Sequence, residues 1–271
     1  MRSDESRPKK TRPCVTWTTD FGIRDGYVAR MRGAFRRHGG DAEWIDVAHD
    51  LPAGDLRSAA WVWLTLIDEF PEGTLHVAVV DPEVGTDRRI LLARCGASWW
   101  LAPDNGLASW VFAERPPGLL RGLRDSAFDA EPSATFHGRD RFAPAAARWT
   151  TGEPTDRWTE PLDSFVELPG GPRRTRPAVG ETSSVLHVDR FGNVALDWPR
   201  RLGDPAGMSP QLPGHAAIPF HDTYARAPSG RPFLLWNSAG YLEIAVPDGS
   251  AARRLDLAAG DTVRWIGADA S

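Results

Sequence analysis

Leu75-His-Val-Ala-Val-Val is a near-continuous apolar run that stops at Asp81. A run so short and so apolar suits a strand covered on both faces, the environment inside a parallel sheet. Parallel neighbours need crossovers, and a helix is the usual one. The flanking sequence supplies the pieces. Cys14-Val-Thr-Trp-Thr-Thr is β-branched and aromatic, and it ends at Asp20 with Gly22 close behind. Residues 25–37 then set Val28, Met31, Ala34 and Phe35 at helical spacing, and Gly39 and Gly40 stop the helix. Glu43-Trp-Ile-Asp-Val reads as a strand, and Asp55 as the N-cap of a helix that ends before Pro71. Residues 89–95 and 98–102 are further strands, and 106–114 and 139–150 further helices. The alternation predicts an α/β layered domain with a largely parallel sheet.

The pattern changes near residue 168. Leu168-Pro-Gly-Gly-Pro-Arg-Arg-Thr-Arg-Pro is turn-rich and polar, and short strand-like segments follow at 184–188, 193–197, 233–237, 241–246 and 261–266. These segments predict a small all-β domain, a sandwich or a barrel. The expected organisation is a disordered tail over 1–13, an α/β domain over 14–168, a linker over 169–182 and a β domain over 183–271. The tail is polar and basic with no apolar stretch after it, and no segment reaches membrane-spanning length, so a cytoplasmic protein is expected. A net charge of −4 gives no electrostatic case for nucleic acid or an acidic membrane. Cys14 and Cys95 form no CxxC and read as buried thiols.

Chemistry is suggested by position. Asp20, Asp81 and Asp104 each directly follow a predicted parallel strand, where open α/β sheets bind ligands. Each is equally a turn former or helix N-cap. His137 opens a helix in Thr135-Phe-His-Gly-Arg-Asp, either as part of a capping cluster or as an imidazole presented to a pocket. Gly192 in Asp189-Arg-Phe-Gly-Asn-Val calls for positive φ. Asn193 suits an adenine edge or a backbone turn, and Asn237-Ser-Ala-Gly is open in the same way. GxxxxGK[ST], GxGxxG after the first strand, GxSxG and HExxH are all absent, so phosphate-loop, dinucleotide, serine-hydrolase and metalloprotease readings lack support. No metal or cofactor is expected.

Six segments in order carry a resemblance. They are Thr18-Thr-Asp-Phe-Gly-Ile-Arg-Asp, the stretch from Phe70 to Thr86 containing Val80-Asp-Pro-Glu-Val-Gly, Ala102-Pro-Asp-Asn-Gly-Leu, Thr135-Phe-His-Gly-Arg-Asp, Asp189-Arg-Phe-Gly-Asn-Val and Asn237-Ser-Ala-Gly-Tyr-Leu. Over roughly residues 14–266 the chain resembles the S-adenosylmethionine hydroxide adenosyltransferases (SAM hydrolases), relatives of the fluorinases and chlorinases. The resemblance implies an α/β domain followed by a β-barrel domain. It implies a homotrimer, with each site between the first domain of one subunit and the second domain of its neighbour. The expected reaction is hydrolysis of S-adenosyl-L-methionine to adenosine and methionine. Asp81, Arg88 and His137 match a water-orienting triad, and the spacing of Asp81 to Arg88 matches too. Asp20 matches the carboxylate that holds the ribose hydroxyls. Asp25 and Asp189 match positions near the methionine ammonium, and Ser238 a contact to its carboxylate. Phe191 and Asn193 match positions around the adenine, and Phe136 falls among the substrate-binding positions.

Two alternatives share these motifs: a halide-using adenosyltransferase and a non-catalytic S-adenosylmethionine-binding protein. The halide enzymes carry Tyr where this chain has Asp81, and the fluorinating ones an insertion that is absent between residues 94 and 101. A carboxylate there repels a halide ion and accepts a proton from water. Glu83, where the family usually has Gly, is the feature that favours a disabled site, through added charge or strain. Ala239 stands where the fluorinating enzymes have Arg.

Overall fold

The computed structural model describes residues 12–128, 131–215 and 217–267. Most of the tail expected over 1–13 therefore lies outside the described residues. The elements in chain order are β1 (Cys14–Thr19), α1 (Tyr27–Arg37), β2 (Glu43–Ala48), α2 (Leu56–Leu64), β3 (Leu75–Val79), β4 (Ile90–Cys95), β5 (Ser98–Pro103), α3 (Ser109–Glu114), β6 (Leu119–Leu123), α4 (Ala143–Thr150), β7 (Thr159–Pro161), β8 (Thr182–Val188), β9 (Val194–Pro199), β10 (Met208–Pro210), β11 (Phe233–Trp236), β12 (Tyr241–Ala245), α5 (Ala251–Leu255) and β13 (Thr262–Gly267). The chain forms two compact units. One comprises residues up to 55, 66–108 and 115–166. The other comprises 56–65, 109–114 and 167 onward, so α2 and α3 belong with the C-terminal sheet.

The first unit is built on a seven-stranded sheet of order β2-β1-β3-β5-β4-β6-β7. Strands β2, β1, β3 and β5 run parallel. The hairpin β4–β5 reverses direction, and β6 and β7 extend the antiparallel half. Every residue of β1 and β3 is buried, as the apolar run of β3 requires, and β1 takes Thr16, Thr18 and Thr19 inside with it. Helix α1 turns Met31, Ala34 and Phe35 to the core and ends on Arg36 and Arg37, which complement its dipole. Met31, Phe35, Leu75, Leu92 and Phe142 are almost fully withdrawn from water, each contributing about 1.5–3 kcal/mol by burial.

The stretch expected as one helix over 139–150 begins instead as a π-helical turn at Gly138–Phe142 before α4. Pro144 is the reason. It sits in the first turn of α4 and has no N–H to continue a regular ladder back into residues 138–142. The helix expected from residue 106 starts at Ser109, because 104–108 form a turn held by Asn105.

The second unit carries a six-stranded antiparallel sheet of order β10-β13-β8-β9-β12-β11, curled into a half-barrel. Its core centres on Val185, Leu196, Trp198, Leu234, Ile244 and Trp265, with the Trp198 and Trp265 rings edge-to-face at 4.8 Å. Helix α2 lies beside β8, and Trp61 stacks on His187. Among the described residues no helix is long and apolar enough to cross a membrane, and no group of three or more His, Cys, Asp or Glu side chains is arranged to hold a metal ion. Cys14 and Cys95 are both free and buried.

Candidate active site

Asp81 follows β3, Arg88 precedes β4, and His137 opens the π-helical turn. The first unit folds all three together. Arg88 donates from Nε to both carboxylate oxygens of Asp81, at 2.9 and 2.8 Å, and its Nη2 also pairs with Asp81 Oδ2. The same Nη2 lies 2.8 Å from His137 Nδ1. A guanidinium only donates, so Nδ1 accepts, and the neutral ring carries its proton on Nε2. Burial, reinforced by the positive charge of Arg88, holds the His137 pKa below its usual value, so the ring is neutral at neutral pH. The Asp81 and Arg88 side chains are only 3% and 6% exposed. The resulting cluster is a buried carboxylate, a fork-shaped cation that fixes its plane, and an imidazole with one N–H to offer. A cavity of about 590 Å³ borders Arg88 and His137.

The loop between Asp81 and Arg88 is shaped by its own turns and by one glycine. Val84 N–H donates to the Asp81 carbonyl, and Thr86 N–H to the Glu83 carbonyl. Gly85 adopts φ +85°, and a Cβ there would stand 2.4 Å from the Ala134 carbonyl oxygen. That close approach brings the Arg88 loop to the segment carrying His137. Glu83 is exposed and outside the left-handed region, so it introduces no backbone strain beside Asp81.

Asp20 directly follows β1, the strand next to β3. Its Oδ2 accepts from Gly54 N–H at 2.8 Å, and Oδ1 has no partner among the described residues. Asp104 is different. Its side chain is 2% exposed, and its oxygens are taken by Arg89 Nε at 2.8 Å and Val166 N–H at 2.7 Å. It is a fixed anchor of the β5 end and not a wall of a crevice. Asp25 is exposed in the approach to α1. Phe136 is 5% exposed and packs edge-on against Phe21 and Tyr27, beneath the Arg30 and Arg139 guanidiniums.

The remaining expected residues gather in the second unit. The turn 189–193 is an Asx turn: Asp189 Oδ1 accepts from the N–H groups of Phe191 and Asn193, and Asn193 Nδ2 donates to Asp189 Oδ2 at 3.0 Å. Gly192 has φ +86°, as expected, and any Cβ would collide with Ser250. Phe191 is left 70% exposed. Asp189, Phe191, Asn193 and Ser238 all line one cavity of about 630 Å³.

Both domain descriptions of one family match this chain: the SAM hydroxide adenosyltransferase N-terminal domain over residues 15–159 and its C-terminal domain over 183–264. The chain belongs to the SAM hydroxide adenosyltransferase family. It is 36% identical to an (R)-S-adenosyl-L-methionine hydrolase of Thermus thermophilus, the match covering 93% of this chain and 99% of the relative. A fluorinase of Actinopolyspora mzabensis is 26% identical over 94% of this chain and 97% of its own. A crystal structure of an uncharacterised conserved protein from Thermotoga maritima superposes with a TM-score of 0.80 at 30% identity, covering 93% of this chain and 99% of that one.

Four groups around the sites escaped the sequence reading. Gly54 supplies the Asp20 anchor from a distant loop. Asn105 Nδ2 donates to the Val80 carbonyl at 3.0 Å and so holds the residue before Asp81; it stands inside a quoted motif, which is the one signal that marked it. Tyr224 and Glu243 both line the second-unit cavity, and the Tyr224 hydroxyl donates to Glu243 at 2.7 Å. Burial raises the pKa of both. They lie far apart in sequence and in no shared motif.

Proposed function

We propose that this protein hydrolyses S-adenosyl-L-methionine to adenosine and L-methionine by in-line attack of water on the ribose C5′. The observation that carries the reading is the buried Asp81–Arg88–His137 cluster. Its carboxylate is fixed in plane by Arg88 and accepts a hydrogen bond from water, while His137 Nε2–H donates to the same water and leaves a lone pair for the carbon. The O–C5′ bond forms, the C5′–S bond breaks with its electron pair going to sulfur, and one water proton is released. The sulfonium supplies its own leaving-group activation, so no step needs a cofactor. Holding water in line is worth up to about 7–11 kcal/mol, and base assistance by Asp81 about 10²–10⁴-fold.

In this reading Asp20 accepts from the ribose hydroxyls through its open oxygen. Asp25 and Asp189 attract the methionine ammonium, and Ser238 meets its carboxylate. Phe191 and Asn193 read the adenine, and Phe136 backs the substrate side of His137. The protein is a cytoplasmic homotrimer, with each site completed by the second domain of a neighbouring subunit. The relatives' names specify the R configuration at sulfur, a distinction the motifs do not encode, and we extend it here as the preferred epimer.

The test is incubation with each sulfonium epimer in ¹⁸O-water containing chloride, followed by mass spectrometry of the nucleosides. Adenosine carrying one ¹⁸O at the 5′ position supports the reading. A 5′-chloro product, or bound and unreacted substrate, overturns it.

A further inference from the structure

A hydroxyl–imidazole–carboxylate chain lies in the first unit, away from Asp81. Thr19 Oγ1 is 2.9 Å from His49 Nδ1, and His49 Nε2 is 3.0 Å from Asp46 Oδ1. Asp46 also accepts from Arg32 Nη2 at 2.6 Å and from Trp44 Nε1. The carboxylate only accepts, so Nε2 carries a proton, and in the neutral ring Nδ1 offers its lone pair. Thr19 Oγ1–H therefore donates to the ring. Its own lone pair accepts from Phe21 N–H at 3.3 Å. The order of residue types is that of a nucleophile, base and orienting acid. Thr19 is fully buried, however, and reaches no substrate. Whatever this chain does, it does through the backbone.

That backbone carries Asp20. His49 grips it from both sides: its ring holds Thr19, and its carbonyl accepts from Gly22 N–H at 2.6 Å. The β1–β2 register slips between Trp17 and Thr18, pairing Trp17 with Asp46 and Thr18 with Ala48. The slip sets the end of β1 against the end of β2, where His49 follows. With Gly54 fixing one carboxylate oxygen, the turn 19–22 decides where the other points.

We propose that His49 is a positioning residue, which through Thr19 and Gly22 aims Asp20 at the ribose hydroxyls. The proposal rests on the reading of Asp20 given above. It is tested by calorimetric titration of the full-length protein with adenosine and with 2′,3′-dideoxyadenosine. Thr19→Val and His49→Phe lower the affinity for adenosine by about three- to tenfold, the worth of a mis-aimed hydrogen bond. They leave the affinity for the dideoxy ligand unchanged, whereas general damage to the fold weakens both alike. Thr19→Ser, which keeps the hydroxyl, restores adenosine binding. Asp46→Ala, at the half-exposed end of the chain, removes the acceptor of Nε2; it replaces His49→Phe should that variant not fold, and it shows the same selective loss. Asp20→Ala separates the two ideas. If Asp20→Ala abolishes the preference for adenosine but Thr19→Val and the His49 or Asp46 variant do not, the positioning role is overturned alone. If Asp20→Ala leaves the preference intact, the Asp20 reading falls and this proposal with it.

Discussion

At the scale of single residues, the triad makes predictions that separate chemistry from binding. Asp81→Asn keeps the shape and an acceptor oxygen for Arg88 but removes the charge that takes a proton from water. Its kcat is expected to fall by about 10²–10⁴-fold, with KM within about threefold of wild type; steady-state adenosine release checks both. The pH profile follows from His137. Its pKa is lowered from 6.5, first by burial and then by Arg88. The ring therefore stays neutral until the pH falls below 6.5, where protonation fills Nδ1, ejects the Arg88 hydrogen bond and sets two cations together. Activity is expected to hold through pH 6.5 and to fall only below it. A decline that sets in above 6.5 as the pH is lowered contradicts the neutral-imidazole role. The meeting of Asp81, Arg88 and His137 was legible in sequence because each sits in or beside a short motif at an element end. Tyr224 and Glu243 were not, since a 3₁₀ turn and a short, wholly buried strand carry no mark of the cavity they share.

At the scale of elements, the loop after β3 and the β1–β3 pair each make a prediction. Gly85→Ala places a methyl against the Ala134 carbonyl and also strains a backbone at φ +85°. The loop must retreat, carrying Arg88 from His137, so kcat is expected to fall at least tenfold. Gly73→Ala is the control: φ is +78°, but open space surrounds the new methyl, so it loses about 1–2 kcal/mol of stability and keeps its turnover. Equal kcat values for the two variants would contradict this account of the loop. In the β1–β3 pair, His76 is 1% exposed, and burial depresses its pKa from 6.5 to about 3. Between those values the unfolded chain binds a proton that the folded chain does not. Stability is therefore independent of this group above pH 6.5 and drains away below it, by at most ~1.4 kcal/mol per pH unit. Urea midpoints measured against pH should flatten by one proton in His76→Asn, whose amide still meets Thr16. Strand β3 was readable because burial on both faces writes itself as a near-continuous apolar run. Strands β6, β7 and β10 were not readable. They are three to five residues long and antiparallel, and their pairing partners lie elsewhere in the chain.

At the scale of the whole molecule, the groups assigned to the substrate are divided between two units of one chain. Asp20, Asp81, Arg88 and His137 belong to the first, and Asp189, Phe191, Asn193 and Ser238 to the second. The motifs alone made both sets legible, but nothing in composition or periodicity says which copy of each set serves one substrate. The proposed trimer answers by pairing sets from neighbouring subunits, and this has a consequence that a site within one chain does not share. Asp81→Asn damages only the first set and Asn193→Ala only the second. Each variant alone makes every site defective. Unfolded together in equal amounts and refolded, they form mixed trimers in which some sites draw both intact sets, one from each kind of subunit. Random assembly gives about a quarter of the sites this composition, so, with substrate held well below KM, about a quarter of wild-type turnover should return, while either variant refolded alone stays below that. Light scattering on the same samples should give the mass of three 29.8 kDa chains. A trimer without recovered activity would assign both sets to a single chain and keep only the stoichiometry. A monomer with wild-type turnover would remove the shared-site reading altogether.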